Sequence, residues 1–154
     1  NIAVDIDMSP EKEKSIDELA IHFIYLLYIY REFMAQHNEF GRISEDRAAA
    51  YLMARGYTIR ERNWRFDRKE VDIIAQKNGV IAFVEVKARR NDYFGDAIDA
   101  ITDNKIRNLI HAANAYVRYH RLNLSIRFDV ITVTGELGSQ VVEHIEDAFY
   151  PPVY

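Results

Sequence analysis

Residues 70–89 constrain this chain more than any other stretch. Two apolar, β-branched runs, 71–75 and 80–86, flank Lys77-Asn78-Gly79. Asn-Gly between such runs is the strongest short-range signal for a tight β-hairpin. Asp72, Glu85 and Lys87 interrupt the runs. Side chains alternate along a strand, so Glu85 and Lys87 share a face with Ile81 and Phe83, while Val84 and Val86 face the other way. Asp72 lies near the start of the partner strand and can reach the same end. Carboxylates and an ammonium on an apolar hairpin are costly unless they pair or bind a metal. The hairpin is therefore the first candidate site as well as the centre of the predicted sheet.

The remaining pattern supplies elements on both sides of it. Ser9-Pro10, with Glu11 and Glu13 in the first turn, predicts a helix over 10–34. Its apolar residues spread well around the helix, from Ile16 and Leu19 to Tyr30 and Met34, so it needs burial on more than one side. Packing on its own domain and packing on a partner subunit both satisfy that need. A second helix is predicted over 44–55, with Ser44 as N-cap, Glu45 in the first turn and Gly56 as the stop. A strand follows over 57–66, carrying Arg60, Arg62 and Arg65 around Trp64 and Phe66, with Arg68 just beyond. Such residues contact phosphates and stack on bases, or form a solvated strand with a core Trp. After the hairpin, Arg89 and Arg90 lead to a loop through Phe94-Gly95. Helical spacing then runs over 96–121, with a break near Thr102, which caps a longer helix carrying Lys105 in its first turn. Strands over 127–134 and 141–145 complete an α/β order in which the strand after the helical crossover is expected to return parallel.

Composition narrows the function classes. The chain has 154 residues and no cysteine, which removes disulfides, thiol nucleophiles and thiolate metal sites. The five histidines are scattered without ligand spacing, and the six glycines form no phosphate-binding cluster. No apolar run reaches the roughly 20 residues of a spanning helix, and the acidic N-terminus does not resemble a signal peptide. The expected location is cytoplasmic. Residues 41–128 hold 17 of the 20 Lys and Arg against 11 Asp and Glu, whereas both flanks are acidic. A basic centre around a cluster of carboxylates suits a polyanion, although solvated helix faces produce the same count.

The order Asp72, twelve residues, Glu85, one residue, Lys87 suits a magnesium-dependent phosphodiesterase. Mg²⁺ takes oxygen ligands and binds through one or two carboxylates plus substrate phosphate. A neighbouring lysine can orient water or neutralise charge on the phosphoryl oxygens.

Asp72 followed by Val84-Glu85-Val86-Lys87 resembles the bipartite active site of the restriction-endonuclease-like, PD-(D/E)xK, superfamily. More narrowly, the chain is similar to the YraN-type family of predicted endonucleases over about residues 34–149. The series includes Gly41, Ser44-Glu45, Ala48-Ala49-Ala50-Tyr51-Leu52, Gly56-Tyr57, Arg62-Asn63-Trp64-Arg65, Glu70 to Ala75, Phe83 to Arg89, Phe94-Gly95, Lys105, Arg127 to Val130, His144-Ile145 and Ala148-Phe149. Lys69 stands where the family pattern leads one to expect Gly. The resemblance implies an αβββαβ core, a central mixed sheet flanked by helices, with an extra N-terminal helix. Met34-Ala35-Gln36 reads as a natural start, making residues 1–33 either a helical extension or an upstream reading of the gene, and 34–154 the nuclease-like domain.

The implied activity is Mg²⁺- or Mn²⁺-dependent cleavage of nucleic acid, most simply DNA, including branched recombination or repair intermediates. Asp72 and Glu85 would be metal ligands, Lys87 the water-orienting or charge-stabilising group, and Glu45 an accessory ligand or base. Arg89 and Lys105, with Arg62 and Arg65, would contact phosphates. Glu70 would be supporting or structural, and Asp129 is expected to pair with a nearby Arg. Two other readings remain: a non-catalytic nucleic-acid-binding module of the same fold, and an interaction protein, for example a homodimer through the 10–34 helix.

Overall fold

The computed structural model describes residues 10–90, 102–136 and 138–150. Residues 1–39 and 40–154 form two compact units. The elements in chain order are α1 (Pro10–Ala54), β1 (Thr58–Phe66), β2 (Lys69–Lys77), β3 (Val80–Arg89), α2 (Asp103–Tyr119), β4 (Ser125–Thr134) and β5 (Val141–Ile145). The strands form one mixed sheet in the order β1-β2-β3-β4-β5. Neighbours are antiparallel except β3 and β4, which run parallel on either side of the crossover through α2. The α/β class and the parallel return are therefore as expected.

Local chemistry explains the turns around the hairpin. Asn78 and Gly79 both have positive φ, 50° and 78°, as a two-residue type I′ turn requires. Gly56, at φ +83°, ends α1: its N–H reaches the Met53 carbonyl and the Tyr57 N–H reaches the Leu52 carbonyl. That pair of bonds is a Schellman stop. Thr102 caps α2, its hydroxyl accepting the Lys105 N–H at 3.3 Å. The predicted helical residues before Thr102, and the Phe94-Gly95 loop, lie outside the described residues.

Each face of the sheet in the 40–154 unit is covered by a helix. Ala48, Ala49 and Leu52 of α1 pack with Ile73, Val84, Ile131 and Val133. Leu109, Ala112, Ala113 and Tyr116 of α2 pack with Ile74, Ile81, Phe83 and Phe128. Burial on both faces is why β3 reads as a nearly continuous apolar run.

One expectation about the N-terminal region needs correction. Residues 10–54 are helical throughout, with no break before Ser44. Gly41 costs about 1 kcal/mol relative to Ala inside a helix, which a long helix absorbs. Ser44 is consequently a fully buried mid-helix residue and not an N-cap, and its Oγ has no hydrogen-bond partner. Glu45 loses the first-turn position assigned to it. The large apolar side chains between Leu19 and Met34 are exposed. Among the described residues, no helix is long and apolar enough to cross a membrane.

Asp129 does pair with an arginine, within a wider network. It is fully buried on β4 and accepts from Arg127 Nε at 2.8 Å, Arg127 Nη2 at 2.8 Å, His144 Nε2 at 2.8 Å and the Asp147 N–H at 3.2 Å. Arg127 also reaches Glu146 at 2.8 Å and the Tyr57 hydroxyl at 2.7 Å. Burial pushes the Asp129 carboxyl up, but the bonds from His144 and Arg127 outweigh it and leave it below its usual value. Every polar atom of this carboxylate is answered, which marks the network as structural. Arg127→Met should therefore destabilise the protein by about 3 kcal/mol, because it strands a buried charge. Urea unfolding would measure this, and a loss under about 1 kcal/mol would show that His144 alone suffices.

Candidate active site

The β2–β3 ladder ends at the pair Ile73 and Val84, one residue short of Asp72 and Glu85. Beyond that pair the side chain of Asp72 replaces the ladder: its Oδ2 accepts the Val86 N–H at 2.7 Å. The opening brings a second carboxylate beside the first. Glu85 is 3% exposed and lies between two ammonium groups, with Lys87 Nζ 3.0 Å from Oε1 and Lys105 Nζ 3.0 Å from Oε2. Lys105 is the close partner of the buried Oε2, and a carboxylate oxygen with two lone pairs can accept more than that one contact.

The electrostatics of the pair conflict. Burial and then the charge of Glu85 push the Asp72 carboxyl up to about 7, with Glu45 adding to the rise; the Val86 N–H and Lys105 oppose it only in part. Burial lowers the Lys105 ammonium, but the charge of Glu85 and their mutual contact more than offset that and leave it above its usual value. Two neighbouring carboxylates, Glu85 buried and Asp72 half-buried and driven toward protonation, form a site that a cation would stabilise.

The other predicted residues fall around this centre. Glu45, on α1, is close enough for its charge to act on Asp72. Arg62 lies 3.8 Å from Glu45 and 2.7 Å from Asp46, so it holds that stretch of α1 against β1. Arg65 is exposed and pairs with Glu70 at 3.0 Å. Glu70 in turn adds its charge to the field at Lys105. Lys105 therefore faces a carboxylate. Arg89 ends β3, where its carbonyl accepts the Gly135 N–H at 2.9 Å. Asp46 carries the main bond to Arg62 and has no signal of its own in the sequence, beyond standing next to Glu45.

Asp72 and Glu85 fit a hard divalent cation. The ligand atoms are all oxygen, and the mutual repulsion of the two carboxylates would be relieved by a cation. Among the described residues, no group of three or more His, Cys, Asp or Glu could hold a metal ion. The protein thus offers two carboxylates, which suits Mg²⁺ better than Ca²⁺, because Mg²⁺ keeps several waters and takes substrate phosphate.

Comparison with known proteins places this geometry in a family context. The sequence pattern of the Uncharacterised protein family UPF0102 matches residues 44–133, a span that includes Glu45, Asp72, Glu85, Lys87 and Lys105. A UPF0102 protein of Phocaeicola vulgatus is 50% identical over 121 residues, covering 79% of this chain and all of the relative. One from Bacteroides thetaiotaomicron is 45% identical with the same coverage. One from Flavobacterium psychrophilum is 45% identical over 76% of this chain and 98% of its own length.

The raised Asp72 carboxyl gives a signed prediction. An unfolded Asp titrates near 3.9, so the stabilising contribution of protonated Asp72 is complete below about pH 4 and is lost as pH rises to about 7. In EDTA, Asp72→Asn should therefore be more stable than the parent at pH 8, by about 2 kcal/mol or more, and nearly equal to it at pH 4. The Asn carbonyl can still accept the Val86 N–H. Melting curves at the two pH values decide it; equal destabilisation at both would show that Asp72 is ionised and paired throughout.

Proposed function

The chain belongs to the UPF0102 family, and from that premise we propose that it is a divalent-metal-dependent endonuclease that hydrolyses phosphodiester bonds in DNA. The observation that carries the proposal is the pairing of half-buried Asp72 with buried Glu85, with Asp72 pushed up to about 7 and Glu85 held between two lysines at 3.0 Å. A structural ion pair is arranged differently, as Asp129 illustrates, with each oxygen met by hydrogen-bond donors.

Asp72 and Glu85 would hold Mg²⁺ or Mn²⁺. When bound, the ion polarises a phosphoryl oxygen and acidifies a bound water. The protein's own groups do the rest. Lys87, held by Glu85 Oε1, presents an ammonium to the negative charge that builds on the phosphoryl oxygens as water attacks and the ester oxygen departs. Lys105 neutralises Glu85 while no ion is there and is available to the substrate phosphate once Glu85 has a cation to face. Glu45, restrained by Arg62, adds negative charge next to Asp72 and is the candidate accessory ligand or base. Arg65 and Arg89 lie on the strands leading from the centre and are the candidates for backbone phosphates.

Purified protein should cleave at least one of single-stranded, duplex, flapped or four-way DNA with Mg²⁺ or Mn²⁺, and not in EDTA. Lys87→Ala and Asp72→Asn should each lower the rate about 100-fold or more, the scale of losing one transition-state contact. Cleavage surviving both substitutions would come from another protein. Substrates left intact under every metal condition would remove the catalytic proposal and leave nucleic-acid binding as the reading to pursue.

The exposed apolar side chains between Leu19 and Met34 favour a second, separate role for that helix in self-association. Sedimentation should show an oligomer for the full chain and a monomer when residues 1–33 are deleted. Equal mass per particle for both would dismiss it.

A further inference from the structure

We propose that the groove between the β1–β2 hairpin and α2 is a stacking subsite for an unpaired nucleobase of the DNA strand presented to the carboxylate centre. The proposal rests on the nuclease reading for the strand's destination, but the subsite stands on its own geometry. A cavity of about 420 Å³ opens there, lined by Phe66, His111, Asn114, Ala115 and Arg118. That volume lies within the usual range of small-ligand pockets, roughly 300–1,000 Å³.

The floor of the groove is the outer end of a braced aromatic row. Phe83 meets Tyr116 edge to face at 5.8 Å in the core, and Tyr116 meets Trp64 at 5.2 Å and 89°. Trp64 lies parallel to Phe66 at 6.1 Å, with 5° between the rings. The last ring, Phe66, is 43% exposed, with His111 tilted beside it at 5.7 Å. An aromatic ring held by its inner neighbours loses little freedom when a base stacks on it, and every base offers a π-face. Around the ring are groups that complete a nucleotide site. Asn114 has both donors and an acceptor for a base edge, and exposed Arg118 suits a phosphate.

The spacing to the catalytic centre is short on both walls. Phe66 pairs with Lys69, three residues before Asp72 on β2, or about 10 Å along the strand. His111 is six residues after Lys105 on α2, or about 9 Å along the helix. His111, Asn114, Ala115 and Arg118 recur at helical spacing, and Arg107 extends the same stripe toward the centre. A strand whose phosphate meets Glu85 and Lys87 thus passes the groove within a few nucleotides. A paired base, with both faces stacked in a duplex, cannot place a face on Phe66. The groove therefore selects strands with an unstacked nucleotide, such as single strands, flaps and branch points.

Trp64 is the sole tryptophan and lies against Phe66, so it reports on the groove directly. The test measures binding of a labelled dT12 strand and of a covalently closed circular duplex, which has no open base face, in EDTA, together with Trp64 emission. The dT12 strand should quench Trp64, and the closed duplex should not. Phe66→Ala should weaken dT12 binding about 10-fold and leave duplex binding within about 2-fold, while Phe66→Tyr should bind dT12 like the parent. Failure of dT12 to bind or to quench Trp64, an equal loss for strand and duplex, or dT12 binding unchanged in Phe66→Ala would each overturn the proposal. Phe66-dependent binding without cleavage in Mg²⁺ or Mn²⁺ would remove the nuclease reading and keep the subsite. Cleavage of single strands with KM unchanged in Phe66→Ala would do the reverse.

Discussion

The hydrogen bond from the Val86 N–H to Asp72 stands where the β2–β3 ladder gives way. A backbone donor at that depth must be satisfied, and once the ladder has stopped at Val84 the Asp72 carboxylate is what satisfies it. This commits a carboxyl group to a half-buried position. Glu85 then stands beside it on the next strand, and neither Lys87 nor Lys105 relieves the conflict fully, since both sit on Glu85. The hairpin's end is thus held open by one backbone requirement. Covering α2 brings Lys105 and the Phe66 groove to the same end.

Two aspartates of the sheet, Asp129 buried and Asp72 half-buried, show how environment separates support from chemistry. Asp129 receives three side-chain hydrogen bonds and one from backbone, and falls below its usual carboxyl value despite its burial. Asp72 receives one backbone bond, faces a second carboxylate and rises to about 7. Both are Asp on apolar strands. What differs is the number of donors brought to each, and a carboxylate with too few donors is one that a metal ion would stabilise.

Much of the centre was legible in the chain. Asn78-Gly79 encodes a turn that only one family of backbone angles satisfies, and alternation then assigns Glu85 and Lys87 to the face of Ile81 and Phe83. The cap at Thr102 likewise follows from local hydrogen bonding. The N-terminal region was misread for a related reason. Ser44 and Gly41 look like a helix boundary, yet a polar cap and one glycine are weak local preferences beside the continuation of a helix whose next turns bury Ala48, Ala49 and Leu52. The spread of apolar residues over 10–34 was visible, but periodicity cannot say what, if anything, covers them.

By itself the sequence determined the class of fold, the turn at the centre and the identity of the charged residues in the strands, because turn angles and strand alternation are local physics. It also placed Lys105 at the start of a helix. Only the tertiary structure decided that Lys105 lies against Glu85, that Arg62 is spent on Asp46 and Glu45, and that Phe66 ends a braced aromatic row above an open groove. Those pairings join residues from different elements. Their distances depend on sheet register and on the seating of α2, and no spacing along a single strand or helix contains that information.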